Sequence, residues 1–228
     1  MIEGEHETTK LCIQWILRHA SGIDQVTEGL NTNATRILDI GTGSGILSIA
    51  AALVYKHTMP SVVTQVGNSQ MENIDSIDNI VSMPSFMIVG TDTDEIAVKA
   101  AQANINTNQV DSVVFAYHCA ENGNVIETSA VNQVRGHQPQ AVEINSILKK
   151  QNFDIVIANI LAPTLSSLLP FISQNVRAGG RICLSGLLNY QAEDILKEYQ
   201  RYFDKCRIIR DTCEWIVITG IRNEAPYE

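Results

Sequence analysis

The sequence lacks the features of a membrane or exported protein. No stretch approaches about 18 consecutive apolar residues, the length that a membrane-spanning helix requires. The first residues, "MIEGEHETT", are acidic and have neither the apolar core of a signal peptide nor the arginines of a transit peptide. The sequence therefore predicts a cytoplasmic protein that makes no membrane contact.

Basic residues are too few for a nucleic-acid-binding surface. The 228 residues include 16 Lys and Arg against 25 Asp and Glu, a net charge of −9. Neutralising phosphates needs a basic face, so we expect no direct contact with nucleic acid. An acidic surface would suit a basic partner protein, but a solvated acidic exterior with no partner is the simpler explanation.

Paired cysteines are also missing. The five cysteines are odd in number, widely spread and never arranged as C-x-x-C: Cys12, Cys119, Cys183, Cys206 and Cys213. This spacing favours neither a disulfide framework nor a zinc site. We expect reduced, inert thiols and no metal.

The length suits a single domain with two interruptions. A chain of 228 residues buries roughly 70 per cent of its unfolded surface, which is enough for a full core. Two polar stretches without a hydrophobic period, 57–84 and 120–150, predict flexible insertions in one domain spanning 1–228. The oligomeric state stays open.

Elsewhere, apolar strands alternate with helical patterns. A first helix is predicted from residue 8 to 20, with Thr8 as its N-cap. Strands follow at 36–41, 86–94, 113–117, 153–160 and 179–188, with helices between most of them. This rhythm predicts an α/β fold. The last two strands, "CRIIRD" and "EWIVITGIR", have no helix between them and should pair antiparallel at one edge.

The stretch "ILDIGTGSGIL" (37–47) predicts a strand, a tight turn and a helix N-terminus, the usual cradle for a nucleotide-like ligand. Its glycines, Gly41, Gly43 and Gly45, form G-x-G-x-G. Ile46 stands where a dinucleotide site needs a small residue, which argues against NAD. A structural turn in some other α/β protein remains the alternative.

Asp39, two residues before the first glycine, favours a particular ligand. Its charge would repel a pyrophosphate, yet it could accept a hydrogen bond from an ammonium group. S-adenosylmethionine offers that ammonium, a carboxylate for the backbone N–H groups of the turn, and no phosphate. We therefore expect it as the cofactor.

Asp92 is the candidate ribose ligand. Such an acid normally ends the next strand, about 20 residues after the glycine turn. Asp92 lies farther along, but removing the insertion at 57–84 restores the spacing. The alternative is that Asp92 and Asp94 merely cap the following helix.

Asn159 lies at the end of the predicted apolar strand "FDIVIANI" (153–160). A polar amide at the carboxyl edge of the sheet lies where open α/β sheets bind their ligands.

Taken together, these stretches resemble the PrmA family, the methyltransferases of ribosomal large-subunit protein eleven. The matching segments run in family order over most of the chain: "HETTKLCIQWI", "ILDIGTGSGILSIAA", "GTDTDEIAVKAAQANINTN", "FDIVIANILA", "GGRICLSGLL", "QAEDIL" and "EWIVITGIR". The resemblance implies a Rossmann-like class I methyltransferase fold with a seven-stranded, mostly parallel sheet and an antiparallel last strand. It also implies S-adenosylmethionine as methyl donor and a protein acceptor, such as a ribosomal protein, methylated on lysine or N-terminal amines.

The same resemblance implies roles for single residues. Thr9 would line the cofactor pocket, Gly41 would contact the methionine end of the cofactor, and Asp92 would hold the ribose. Asn159 would lie where cofactor and acceptor amine meet and, with a neighbouring carbonyl, would orient the neutral amine. The simpler alternative for Thr8 and Thr9 is that they cap a helix.

The chain departs from the family in three respects. Members carry an additional N-terminal domain that grips the ribosomal substrate, and we expect it to be absent because the sequence begins just ahead of "HETT". Pro163 stands one place earlier than the family's proline, and the two insertions are atypical. Three alternatives stay open: a class I methyltransferase for another protein or a small molecule, a non-catalytic cofactor-binding module, or a fragment of a longer protein.

Overall fold

Seven strands form one sheet with helices on both faces. The computed structural model describes residues 4–21, 35–58, 86–121, 123–126, 145, 148, 152–210 and 214–224. The strands are β1 (Thr35–Ile40), β2 (Phe86–Asp92), β3 (Val114–His118), β4 (Phe153–Asn159), β5 (Val176–Leu188), β6 (Phe203–Arg210) and β7 (Trp215–Arg222). The helices are α1 (Gly4–Ala20), α2 (Ile46–Thr58), α3 (Glu95–Thr107), α4 (Ala162–Asn175) and α5 (Ala192–Tyr199), with a 3-10 turn at Asn189–Gln191. Most of the two predicted insertions, 57–84 and 120–150, lies outside the described residues.

The strand order confirms the predicted fold class. It is β3-β2-β1-β4-β5-β7-β6, and β7 runs antiparallel to both of its neighbours while the pairs from β3 to β5 are parallel. Strands β2 and β3 lie on one side of β1, and strands β4 to β7 lie on its other side. The carboxyl ends of β1 and β4 therefore border the crevice where open α/β sheets bind ligands.

The central strands are apolar on both faces because helices cover both. In β4, the six residues 153–158 are all buried, as expected for a parallel strand inside a sheet. One core joins the sheet to α4 and α5, with Leu165, Ile172 and Tyr199 fully buried. The other core joins it to α1, α2 and α3, and Trp15 is among its members.

Helix α1 corrects one prediction. It begins at Gly4, so Thr8 and Thr9 lie inside the helix rather than at its N-terminus, and the expected N-cap at Thr8 is wrong. The apolar periodicity starts only at Leu11, and for this reason the polar first turns carried no pattern. None of the helices in the described ranges is long and apolar enough to cross a membrane.

Asp154, near the amino end of β4, supports the sheet far from the carboxyl edge. It is 4 % exposed, and its two oxygens accept the backbone N–H of Arg36 (2.8 Å) and the Nε–H of Arg177 (2.6 Å). Removing one partner of a buried charge pair is costly, because the other charge loses its counter-charge. Here a backbone N–H would lose its acceptor as well. Asp154 therefore contributes to stability rather than to the site.

We expect Asp154→Ala to lower the free energy of unfolding in urea by roughly 2 to 3 kcal/mol, since Arg177 keeps some solvent contact. Asp204→Ala, an exposed carboxyl on edge strand β6, is the matched control and should stay within about 0.5 kcal/mol of wild type. Equal effects from both substitutions would contradict the structural role of Asp154.

Candidate cofactor and acceptor site

The backbone of the turn between β1 and α2 favours glycine at three positions, and neighbouring atoms add a steric reason at two of them. Gly41, Gly43 and Gly45 have φ of +71°, +55° and +82°, a region that favours glycine. A Cβ on Gly41 would lie 2.5 Å from Cγ2 of Ile160, and one on Gly45 would lie 3.2 Å from Cβ of Ala101 in α3. Beside Gly43 a Cβ would meet nothing within 4 Å. The turn is thus tightly packed at its two ends and open at its middle glycine.

Asp39 holds the turn from beneath. It is 1 % exposed, and its Oδ2 accepts hydrogen bonds from the hydroxyls of Thr42 (2.8 Å) and Ser48 (2.7 Å). Burial raises the pKa of the Asp39 carboxyl, while the hydrogen bonds from Ser48 and Thr42 oppose that rise. These contacts give Asp39 a structural role, and a direct bond to a ligand ammonium stays a prediction. Sequence reasoning missed both hydroxyls, although each residue lies within three positions of a glycine of the motif.

Backbone hydrogen bonds also attach the turn to β2. The N–H groups of Gly41 and Thr42 both donate to the carbonyl of Thr91, at 2.8 and 3.0 Å. Gly90 permits this approach, because a Cβ there would lie 2.8 Å from the hydroxyl of Thr42. The end of β2 is therefore pressed against the glycine turn.

That contact brings Asp92 to the turn. Its Oδ2 accepts the N–H of Gly43 at 2.9 Å, and its Oδ1 accepts the N–H of Asp94 at 3.0 Å. The N-cap of α3 is Asp94, whose Oδ1 accepts the N–H of Ile96 at 2.8 Å. The capping alternative thus holds for Asp94, and Asp92 stays half-buried beside Gly43.

Thr9 and Asn159 meet on the other side of the crevice. The side-chain amide Nδ2 of Asn159, at the end of β4, donates to the hydroxyl of Thr9 on α1 at 3.4 Å. This bond is long, and both side chains are half-buried. Helix α1 therefore places Thr9 over the end of β4 although 150 positions separate the two residues.

All seven predicted site residues lie at or beside the carboxyl edge, at the ends of β1, β2 and β4 and on α1: Thr9, Asp39, Gly41, Gly43, Gly45, Asp92 and Asn159. Ile160 connects the two groups, because it follows Asn159 and its side chain rests against Gly41. Sequence reasoning missed Ile160 and its other neighbour, Gly186. A glycine inside a strand pattern, as in "CLSGLL", is the signal that could have found the latter.

No metal centre accompanies these residues in the described part of the chain, where no group of three or more His, Cys, Asp and Glu is placed to hold an ion.

The sheet order, the antiparallel β7, the glycine turn after β1 and the acid at the end of β2 define the fold as that of the Rossmann-like class I methyltransferases. The sequence model of the ribosomal protein L11 methyltransferase (PrmA) family matches residues 3–62 and 80–223. The chain therefore belongs to this family, which confirms the resemblance seen in its sequence. The unmatched residues between these two matched ranges, 63–79, lie within the first predicted insertion.

Individual relatives agree with the family match. The ribosomal protein L11 methyltransferase of Ectopseudomonas mendocina (strain ymp) is 31 % identical over 220 residues, which are 96 % of this chain and 52 % of the relative. That of Xanthomonas euvesicatoria pv. vesicatoria (strain 85-10) is 29 % identical over 219 residues, 96 % of this chain and 51 % of the relative. The chain thus spans about half the length of the curated relatives it matches.

Solved structures support the fold alone. The ribosomal protein L11 methylase of Lactobacillus delbrueckii subsp. bulgaricus superimposes with a TM-score of 0.55 at 22 % identity, covering 96 % of this chain and 80 % of that one. A methyltransferase from Pyrococcus furiosus gives 0.52 at 13 % identity, covering 92 % and 81 %.

The buried Asp39 makes stability depend on pH. Because its pKa is raised above the ordinary value of 3.8, the folded chain binds this proton more tightly than the unfolded chain does. The associated stability is complete below pH 3.8 and is lost as the pH rises through the folded-state pKa.

Asp39→Asn keeps the shape of the side chain and removes the titration. We expect its free energy of unfolding, relative to wild type, to increase between about pH 4 and about pH 7. Urea unfolding across this range measures the difference, and Asp204→Asn controls for the change in net charge. A relative stability that stays flat or falls with pH would contradict the raised pKa.

Proposed function

We propose that this chain transfers a methyl group from S-adenosylmethionine to an amine of ribosomal protein L11, on a lysine side chain or the N-terminus, in the cytoplasm. One observation carries the proposal: a chain of this family brings the glycine turn, Asp92 and Asn159 to one carboxyl edge. The acceptor is the one that the relatives are named for, and because the chain spans about half their length, the acceptor is part of the proposal.

The residues at the turn fit the donor. Beside Gly43 there is open space, and the carboxylate of Asp92 lies within hydrogen-bond distance of the Gly43 N–H. An ionised carboxylate has about four lone-pair sites, so Asp92 can accept ribose hydroxyls in addition to its two backbone N–H groups. When bound, S-adenosylmethionine supplies a methyl group on a sulfonium, which is already activated for transfer.

The charge of the site disfavours a dinucleotide. Asp39 is buried beneath the turn and Asp92 stands beside it, so a pyrophosphate would meet two carboxylates at the place where it needs backbone donors. In addition, Ile46 stands at the position where a dinucleotide site needs a small residue. A cationic nucleoside without phosphate avoids both conflicts.

Asn159 and the adjacent Ile160 carbonyl are suited to hold an amine. A lysine amine, with an ordinary pKa of about 10.4, must be neutral when it attacks. The amide oxygen of Asn159 and a backbone carbonyl are neutral acceptors, which can orient the N–H bonds of an amine without favouring its protonated form as a carboxylate would. The chain's contribution is then alignment and exclusion of water, the main requirements of a direct displacement.

Exposed apolar side chains on this edge favour a protein acceptor. Leu161, next to Ile160, is 67 % exposed, and Tyr190, just after β5, is 77 % exposed. Large side chains exposed beside a site offer contact area to a protein segment. A small polar amine would leave them uncovered.

Incubation of the chain with labelled S-adenosylmethionine and purified bacterial ribosomal protein L11 tests the proposal, with fractionated cell extract as a parallel acceptor. Label on L11 at an amine is the expected result. Label only on another protein or a small molecule would reassign the acceptor. Donor binding without transfer to any fraction would make the chain a non-catalytic module.

Asp92→Ala should weaken binding of S-adenosylmethionine by roughly 1.5 to 3 kcal/mol, because it removes charge-assisted hydrogen bonds. Titration calorimetry measures the dissociation constant, and NAD should not bind to either chain. Asp94→Ala is the matched control, since it removes a helix cap two residues away and should leave the donor affinity unchanged. An unaltered dissociation constant in Asp92→Ala would refute the ribose contact.

Asn159→Ala should lower turnover by roughly a hundredfold or more, the scale of losing one positioning contact, with a smaller effect on donor affinity. The measurement is the rate of label transfer at saturating donor. Asn108→Ala, at the end of α3, is the control and should transfer at the wild-type rate. If Asn159→Ala labels the acceptor as fast as wild type, its role in positioning the amine fails.

A further inference from the structure

Ile160 is held between two glycines of different strands. Gly41, after β1, would place a Cβ 2.5 Å from Cγ2 of Ile160. Gly186, in β5, would place a Cβ 2.3 Å from the carbonyl oxygen of Ile160, 2.7 Å from its carbonyl carbon and 2.9 Å from its nitrogen. One glycine therefore touches the side chain of Ile160 and the other touches its peptide group.

A bulge in β5 creates the second contact. The pairing of β5 with β7 shifts register between Leu184 and Leu187, and Gly186 lies in that interval with φ +81°. Bulges of this kind bend a strand and commonly contain glycine. On the other side, the pairing of β5 with β4 extends to Asn159 and Ser185. Past this pair, the bent backbone of β5 runs against Ile160.

The neighbours of the bulge are themselves fixed. The N–H of Ile160 donates to the carbonyl of Ser185 at 3.1 Å, and the buried hydroxyl of Ser185 donates to the carbonyl of Ile216 in β7 at 3.1 Å. Gly41 in turn is bound to the Thr91 carbonyl. Ile160 therefore has an anchored strand on one side and the anchored glycine turn on the other.

We propose that Gly186 and Ile160 are positioning residues for methyl transfer: together they set the distance between the glycine turn and the acceptor groups, the Asn159 side chain and the Ile160 carbonyl. The inference rests on the proposed function. A methyl group on residue 186 would have to push the Ile160 peptide away by roughly 1 Å to regain ordinary contact. A displacement of that size at a reacting centre costs about a hundredfold in rate.

A merely structural glycine is the alternative, and the same strand offers a control for it. Gly179, near the start of β5, has φ +75°, and a Cβ there would meet only the guanidinium of Arg177 at 3.6 Å, an ordinary contact. Gly179→Ala therefore introduces comparable backbone strain into β5 without the clash at Ile160.

The test compares wild type, Gly186→Ala and Gly179→Ala in three measurements: donor affinity by calorimetry, the single-turnover rate of transfer to ribosomal protein L11, and the NMR signals of the Asn159 side-chain amide, assigned from their loss in Asn159→Ala. Gly186→Ala should shift the Asn159 signals and slow transfer by roughly thirty- to a hundredfold, with donor affinity within about threefold of wild type. Gly179→Ala should leave all three at wild-type values. A folded Gly186→Ala with unshifted Asn159 signals overturns the proposal.

Ile160 provides a second pair of variants in case Gly186→Ala does not fold. Ile160→Leu moves the branch away from Cβ and removes the Cγ2 that rests on Gly41, whereas Ile160→Val keeps that Cγ2 and loses only Cδ1. Ile160→Leu should therefore shift the Asn159 signals more and slow transfer more than Ile160→Val does. Equal effects from the two substitutions contradict the proposal.

Failure of the proposed function gives a different pattern. If wild type transfers no label to L11, that acceptor is refuted while the NMR comparison still decides whether Gly186 positions Asn159. If wild type labels L11 and Gly186→Ala labels it equally fast, the positioning inference fails and the proposed function stands.

Discussion

The glycine turn's attachment to β2 is the constraint on which the site depends. Two N–H groups, from Gly41 and Thr42, converge on the carbonyl of Thr91, and Gly90 leaves room for the approach. This attachment brings the N–H of Gly43 to Asp92. It also holds Gly41 at the place where Ile160 rests. The glycine turn and the Asn159 side of the crevice thus share one fixed point.

Carboxylates take two different roles around this fixed point because their burial differs. Asp39 is enclosed, and its Oδ2 accepts the hydroxyls of Thr42 and Ser48, so it shapes the turn. Asp92 is half-buried at the strand end and keeps capacity to accept further hydrogen bonds. An aspartate side chain thus has a structural role beneath the turn, at Asp39, and is available to a ligand beside the turn, at Asp92.

Local patterns in the sequence were sufficient for the sheet class, the glycine turn and the positions of Asp92 and Asn159. Apolar runs mark buried parallel strands, and a polar residue at the end of such a run lies at the carboxyl edge whatever the rest of the chain does. The beginning of α1 was missed because its first turns carry no apolar period. The position of β7 between β5 and β6 was also not predicted, since an antiparallel pairing says nothing about which strand of the pair meets the parallel sheet.

The contacts of Ile160 could not be predicted from the sequence, for a different reason. Its neighbours Gly41 and Gly186 are far from it along the chain, and their need for glycine is visible only from the atoms that a Cβ would meet. A crystal structure of the chain with the demethylated product, S-adenosylhomocysteine, would show how the glycine turn, Asp92 and Asn159 meet the cofactor. We expect the ribose hydroxyls within hydrogen-bond distance of Asp92, and the sulfur directed toward Asn159. Product bound away from the glycine turn, or with its ribose held by another acid, would contradict it.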